Sequence, residues 1–261
     1  MDLNLAWVAF LLAASLFFGM LLCIEVGRRL GIARLAREPG DLTKGIGAAE
    51  AAVFGLLGLI IAFTFSGAGS RFEDRRHLIT EEANAIGTAY LRVNLLPSDA
   101  QPEMRELFRR YLDLRSTIYQ DARGVAATKA KLAESAALQG EIWTKALAAC
   151  QRPETAGHVA LLLLPALNAM IDITTTRAMA TQNHPPLVVF LLLPVLSLIG
   201  SLLVGYDMSV QKRRSWLHMT AFAAIMSIMV YVIIDLEFPR LGLVRVDAAD
   251  QVLIDLHKSM Q

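Results

Sequence analysis

The sequence predicts an all-α fold: a four-span helical membrane protein with a helical extramembrane block between spans two and three. Three observations carry this. The chain of 261 residues is 55% hydrophobic with a mean hydropathy of +0.46, above the roughly 45–50% apolar content of soluble domains. Four segments, Leu5–Ile24, Ala51–Gly69, Leu187–Tyr206 and Trp216–Ile234, contain no Asp, Glu, Lys or Arg, and each nears the ~20 residues a bilayer core requires. Charge is instead concentrated between the second and third segments, where the pattern is helical and no strand-like alternation occurs.

The first span reads as a retained anchor. It lacks an N-terminal Lys or Arg and is followed by Arg28 and Arg29, unlike a cleaved leader. The second and third spans enclose the block. A fifth apolar run, Val159–Ile173, is shorter and holds Asn168, Asp172 and Pro165; it is expected to be a buried helix of the block, broken at Pro165. The resulting division is 1–70 for the first helix pair, 71–186 for the block, 187–237 for the second pair and 238–261 for a C-terminal tail. Short basic loops set the orientation. Arg28, Arg29, Arg34, Arg37 and Lys44 mark the loop 28–44, and Lys212, Arg213 and Arg214 mark the loop 211–214. Both are expected in the cytoplasm, with the block on the opposite side.

Within the block, Met104, Leu107, Phe108, Tyr111, Leu114 and Ile118 recur at helical spacing. The segment 125–150 is Ala-rich and reads as a further helix. Pro97, Pro102, Pro153, Pro185 and Pro186 mark breaks.

Several function classes find no support. A net charge of +1 and the lack of a basic stripe with interleaved aromatics argue against nucleic acid. Cys23 and Cys150 lie in different regions and imply no disulfide framework. No nucleophile motif or Gly-rich phosphate loop occurs, so neither an enzyme nor a cofactor is expected. His77 and Glu81 lie one helical turn apart, yet two ligands do not make a metal site. Asp235, Glu237, Asp247 and Asp250 read as ordinary helix-end carboxylates.

The most informative stretch is "SRFEDRRHLITEEANAIGTAYLR", Ser70–Arg92. No Pro separates it from the second span, so one helix is expected from Gly47 to about Leu95. Stepping along it places His77, Glu81, Asn84, Thr88 and Arg92 on one stripe. That stripe is either a solvated face or a buried polar network, partnered by Asn168 and Asp172. Its small apolar neighbours favour the buried network for Glu81, Asn84, Thr88 and Arg92. Gly87 costs about 1 kcal/mol relative to Ala inside a helix, which predicts a backbone packed close to it.

The run "GLLGLIIAFTFSGAGSRFEDRRHLITEEANAIGTAYLRVNLLP" and the later "IIDLEFPRLGLVRV" strongly resemble an uncharacterised family of bacterial membrane proteins called bestrophin-like. "LNAMIDITTTRAM" and Gly205–Tyr206 fit as well, so the resemblance covers nearly the whole chain. It implies a bacterial inner (cytoplasmic) membrane location and a distant similarity to bestrophins, pentameric anion channels with four spans. The partners it implies are the lipid bilayer, other copies of the chain and small inorganic anions. Bestrophins keep their termini and helical part in the cytoplasm, the reverse of the orientation that the loop charges indicate here. By the family's spacing, Leu59, Phe63 and Gly67 become candidates for a pore constriction, with Gly55 one turn earlier. Arg71 and Arg75, echoing an Arg-aromatic-x-x-x-Arg segment, become candidates for positive charge at the pore mouth. The competing reading is packing of Leu59 and Phe63 against other spans, in a non-conducting scaffold or sensor whose block binds a partner.

Overall fold

A computed structural model describes residues 5–37, 46–118, 125–210, 215–239 and 243–260. Among these residues the secondary structure is helical, with no strand. The α-helices are α1 (Leu5–Arg37), α2 (Ile46–Arg92), α3 (Gln101–Thr117), α4 (Val125–Cys150), α5 (Gly157–Gln182), α6 (Leu187–Asp207), α7 (Trp216–Glu237) and α8 (Asp247–Ser259). Lys44, the rest of 38–45 and the basic loop 211–214 lie outside the described residues. Arg28, Arg29, Arg34 and Arg37 belong to α1 itself.

Helix α2 runs uninterrupted for 47 residues, as the missing Pro requires. A 3-10 turn at Val93–Leu95 then ends it. Four helical stretches among the described residues are long and apolar enough to cross a bilayer: Trp7–Arg37, Glu50–Leu95, Gly157–Val210 and Trp216–Glu237.

The chain divides into two compact units. The first comprises Met1–Phe72 and His184–Arg245. Its core gathers Leu16 and Met20 from α1, Leu57 and Ala68 from α2, Leu193 from α6, and Ala223, Met226, Val230 and Ile233 from α7. Phe54 and Phe222 meet edge to face on its margin, with ring centroids 6.1 Å apart. Two hydroxyls of α6 in this apolar setting turn back on their own helix: Ser197 donates to the Leu193 carbonyl at 2.8 Å and Ser201 to that of Ser197 at 2.7 Å. That is the only economical partner for an O–H without water.

The closest packing in this unit joins α1 and α6, and glycine permits it. A Cβ on Gly27 would lie 2.0 Å from the Leu202 carbonyl oxygen, and one on Gly205 would lie 2.0 Å from that of Ile24. Close backbone approach through small residues is the main source of helix association where lipid removes the hydrophobic drive.

The second unit comprises Glu73–Asn183 and Val246–Gln261. The C-terminal helix α8 thus belongs to the helical block rather than forming a tail apart. It packs on α3, burying Leu253 and Met260. The segment Val159–Ile173 lies in α5, whose buried side chains Val159, Leu163, Ala166, Leu167 and Met170 join the core of this unit. Helix α5 continues through Pro165 instead of breaking there. A proline removes one backbone bond, and the packed apolar face holds the helix across the gap. The expected apolar face of α3 is buried at Met104, Leu107, Phe108 and Tyr111, and Ile118 just past its end is buried too.

Gly27→Ala and Gly205→Ala are therefore expected to destabilise the protein, each by about 3 kcal/mol, the upper part of the overpacking range. Gly55 and Gly58 on α2 have nothing within 4 Å of an added Cβ. Their alanine variants should stay within about 0.5 kcal/mol of wild type as single chains. Unfolding midpoints in a mild detergent compare the four variants directly.

Candidate functional site

In the first unit, α2 is the span its own chain covers least. Only 11% of its most apolar window is buried, against 22%, 22% and 33% in the other three stretches. Leu59 is 51% exposed and Phe63 69% exposed, on a face shared with exposed Gly55, Ala62 and Ser66. Gly67 continues that face. A Cβ there would lie 3.2 Å from an Arg71 Nη1, so the guanidinium folds back over the glycine.

Arg71 is held by α7. Its Nε donates to both carboxylate oxygens of Glu237 at 3.0 Å, and its Nη2 donates to Oε2 at 2.8 Å. His184 Nδ1 lies 2.9 Å from Glu237 Oε1, and its ring stacks on Phe238. Glu237 is buried and Arg71 half-buried, a setting in which a bidentate fork fixes orientation as well as charge. Beside this pair, Phe63, Thr64, Gly67, Val189, Phe190 and Leu193 line a cavity of about 190 Å3. Asp235, two residues before Glu237, accepts from the Leu243 N–H at 3.0 Å and from the Val244 N–H at 2.9 Å, and so secures the chain beyond α7.

The second unit holds a buried ion network. Glu82 has no solvent exposure and Arg115 has 1%. Arg115 Nε donates to Glu82 Oε1 at 2.5 Å, and Arg177 Nη1 donates to Glu82 Oε2 at 2.5 Å. Arg177 Nη2 also donates to Asp250 Oδ1 at 3.1 Å. One carboxylate on α2 thereby engages α3 and α5, and Arg177 passes the connection to α8. Beside it Gln139 Nε2 donates to the Tyr111 hydroxyl at 2.9 Å. Burial pushes the Tyr111 phenol up to about 12, so it stays protonated across the physiological range.

Comparison with known proteins separates fold from chemistry. The family model described as "Bestrophin-like domain" matches residues 13–250. The chain belongs to the bestrophin-like family. Two single-substitution variants of a bacterial bestrophin homologue from Klebsiella pneumoniae, known from crystal structures, resemble this bestrophin-like chain. One has a TM-score of 0.67 at 13% identity, over 94% of this chain and 98% of the other. The second has 0.65 at 14% identity, over 92% and 98%. A crystal structure described only as a membrane protein gives 0.63 at 14% identity, over 93% and 98%. Identities this low establish the fold alone. No curated protein matches the chain.

The bestrophin-like chain departs from two of the sequence expectations. Arg75 is 7% exposed, and donates from Nε to the Ala180 carbonyl and from Nη2 to that of Asn183, each at 3.1 Å. It caps the C-terminal carbonyls of α5, where a cation also meets the negative end of the helix dipole, instead of presenting charge to solvent. Arg71, in turn, is neutralised by Glu237.

The polar stripe is also displaced by one residue. Glu81, Asn84 and Thr88 are exposed, as are Asn168 and Asp172. His77 and Glu81 form an exposed pair at 3.5 Å, and no group of three metal-ligating side chains occurs among the described residues. Arg92 is half-buried and donates to the Leu162 carbonyl, within one turn of Pro165. The face turned inward is Ile79, Glu82, Ala83, Ile86, Ala89 and Val93, because those apolar side chains supply the burial. Glu82 is carried in with them, and two arginines meet it. At Gly87 the neighbour is a side chain rather than a backbone: a Cβ would lie 3.4 Å from Leu256 Cδ1 of α8.

Glu82→Gln leaves two guanidinia without their shared carboxylate, and should cost about 3–5 kcal/mol. Glu81→Gln, one residue away and exposed, should cost under about 0.5 kcal/mol. Chemical denaturation followed by helical circular dichroism separates the two positions.

Proposed function

We propose that the protein assembles as a bestrophin-like homo-oligomer, a pentamer by analogy with the channels it resembles, and conducts small inorganic anions along an axis lined by α2. The observation that carries this reading is the α2 face bearing Gly55, Leu59, Ala62, Phe63 and Ser66. Its own unit leaves this face uncovered on a membrane span. Around an axis, Leu59 and Phe63 form successive apolar rings, with Gly67 one turn further along. Such rings gate by dewetting, which keeps resting conductance low. Phe63→Ala widens the ring, and should raise halide flux into vesicles several-fold over wild type. The flux is read with the subunit number of the same preparation. A monomer, or no flux from either protein in a fully assembled oligomer, removes the pore.

A second reading, a non-conducting scaffold or sensor in the membrane, draws support from the two arginines. Arg71 is matched by Glu237 and Arg75 is spent on α5, so neither supplies an uncompensated ring of positive charge for anions.

The orientation proposed from the loop charges places the end of α1 in the cytoplasm and the helical block on the opposite side. With Cys23 and Cys150 replaced by serine, single cysteines at exposed Ala36 and Ala148 are treated in whole cells with a membrane-impermeant maleimide. Labelling is expected at Ala148→Cys and not at Ala36→Cys. The reverse pattern places the block in the cytoplasm.

A further inference from the structure

Helix α2 leaves the side chains of His77 and Glu81 71% and 47% exposed. They stand one turn apart, and His77 Nδ1 lies 3.5 Å from Glu81 Oε1. That is longer than a hydrogen bond, which closes to about 2.7–3.2 Å. It matches the edge of a metal tetrahedron, because two ligands each about 2.0–2.2 Å from one zinc ion stand about 3.4 Å from each other. The neighbouring arginines are engaged elsewhere: Arg76 donates to Glu73 at 3.0 Å, and Arg75 donates to carbonyls at the end of α5. We propose that His77 and Glu81 of neighbouring copies together bind a divalent transition-metal ion of the zinc class. This rests on the reading that α2 lines the axis of a homo-oligomer.

The register of α2 brings the copies together at this level. His77 and Glu81 follow Leu59 and Phe63 by eighteen residues, about five turns of one uninterrupted helix. An axis faced by Leu59 and Phe63 is therefore faced by His77 and Glu81 further along. One chain offers two ligands, and no group of three occurs among the described residues. A closed zinc site takes four, and a second copy supplies the other two by symmetry. Imidazole suits zinc, copper and nickel, whereas magnesium and calcium are held by oxygen alone. The histidine thus selects the transition metals.

The test uses the detergent-purified full chain, with its subunit number counted in EDTA, and then titrated with zinc chloride or magnesium chloride. Zinc bound to the folded oligomer is expected to raise the melting temperature by about 2 °C or more. Binding should saturate at about one ion for every two chains or fewer, since each ion draws on two copies. Magnesium should do neither. His77→Ala and Glu81→Gln change exposed side chains, so both should melt as wild type does in EDTA. Both should lose the zinc shift, whereas His158→Ala, at an exposed histidine of α5, should keep it. In an assembled oligomer, three results overturn the shared site and leave the α2 axis standing: no zinc shift, a shift that His77→Ala retains, or one ion bound to every chain. A monomer removes the axis, and the site with it.

Discussion

A buried carboxylate is costly: even after relaxation, removing one ion from water costs several kcal/mol. Glu82 meets that cost with two guanidinia at 2.5 Å, one on α3 and one on α5, and Arg177 in turn reaches Asp250 on α8. The helical block depends on this constraint more than on any apolar contact. Its apolar faces are made mostly of leucine, alanine, isoleucine and methionine, with few aromatics, and burial of such aliphatic side chains distinguishes poorly between registers one turn apart. The four charges are not indifferent. Only one register of α2, α3, α5 and α8 pairs all of them, and any other leaves a charge buried without a partner. This is also why α8 belongs to the block although the segment His184–Arg245 of another unit intervenes between it and α5.

The membrane-spanning unit meets the opposite problem. Its side chains are apolar on every face, and lipid is as good a solvent for them as a neighbouring helix. What distinguishes one helix face from another is how near a second backbone can come. Gly27 and Gly205 let α1 and α6 approach until carbonyl oxygens occupy the places of absent Cβ atoms, and at Gly31 the Ser209 side chain, just past α6, takes that place. Helix α2 carries glycines too, at positions 55 and 58, with nothing from its own chain near them. Identical residues thus serve a completed contact on α1 and an uncompleted face on α2.

That contrast explains what was legible in the sequence. The four spans, the long α2 and the buried face of α3 follow from uncharged length, missing prolines and helical periodicity, all of which are local. The family resemblance rests on contiguous runs, and it too could be read directly. Glu82 could not be found that way. It sits beside Glu81 in a Glu-Glu pair, and periodicity through His77 and Arg92 selects the wrong member. Its partners are 33 and 95 residues distant, and no local pattern marks them. The continuation of α5 through Pro165 was hidden for a related reason. The packing that compensates a lost backbone bond comes from elsewhere in the chain.

The fate of Arg71 bears on how a pore built from this chain would choose its ions. An arginine at the end of a span looks, in sequence, like a positive charge offered to an anion. Here it is held bidentately by Glu237, which also lies against His184. The glutamate is 166 residues away, within the "IIDLEFPRLG" run that contributes to the family resemblance read from the sequence. The pair is close to neutral, and its field falls off faster with distance than that of a lone charge. A pore of the kind proposed would therefore draw little discrimination by charge from this pair. In a conducting oligomer, selectivity would then fall to the apolar rings of Leu59 and Phe63. There the decisive quantity is the cost of stripping water from an ion, which is lower for large, weakly hydrated anions than for small cations.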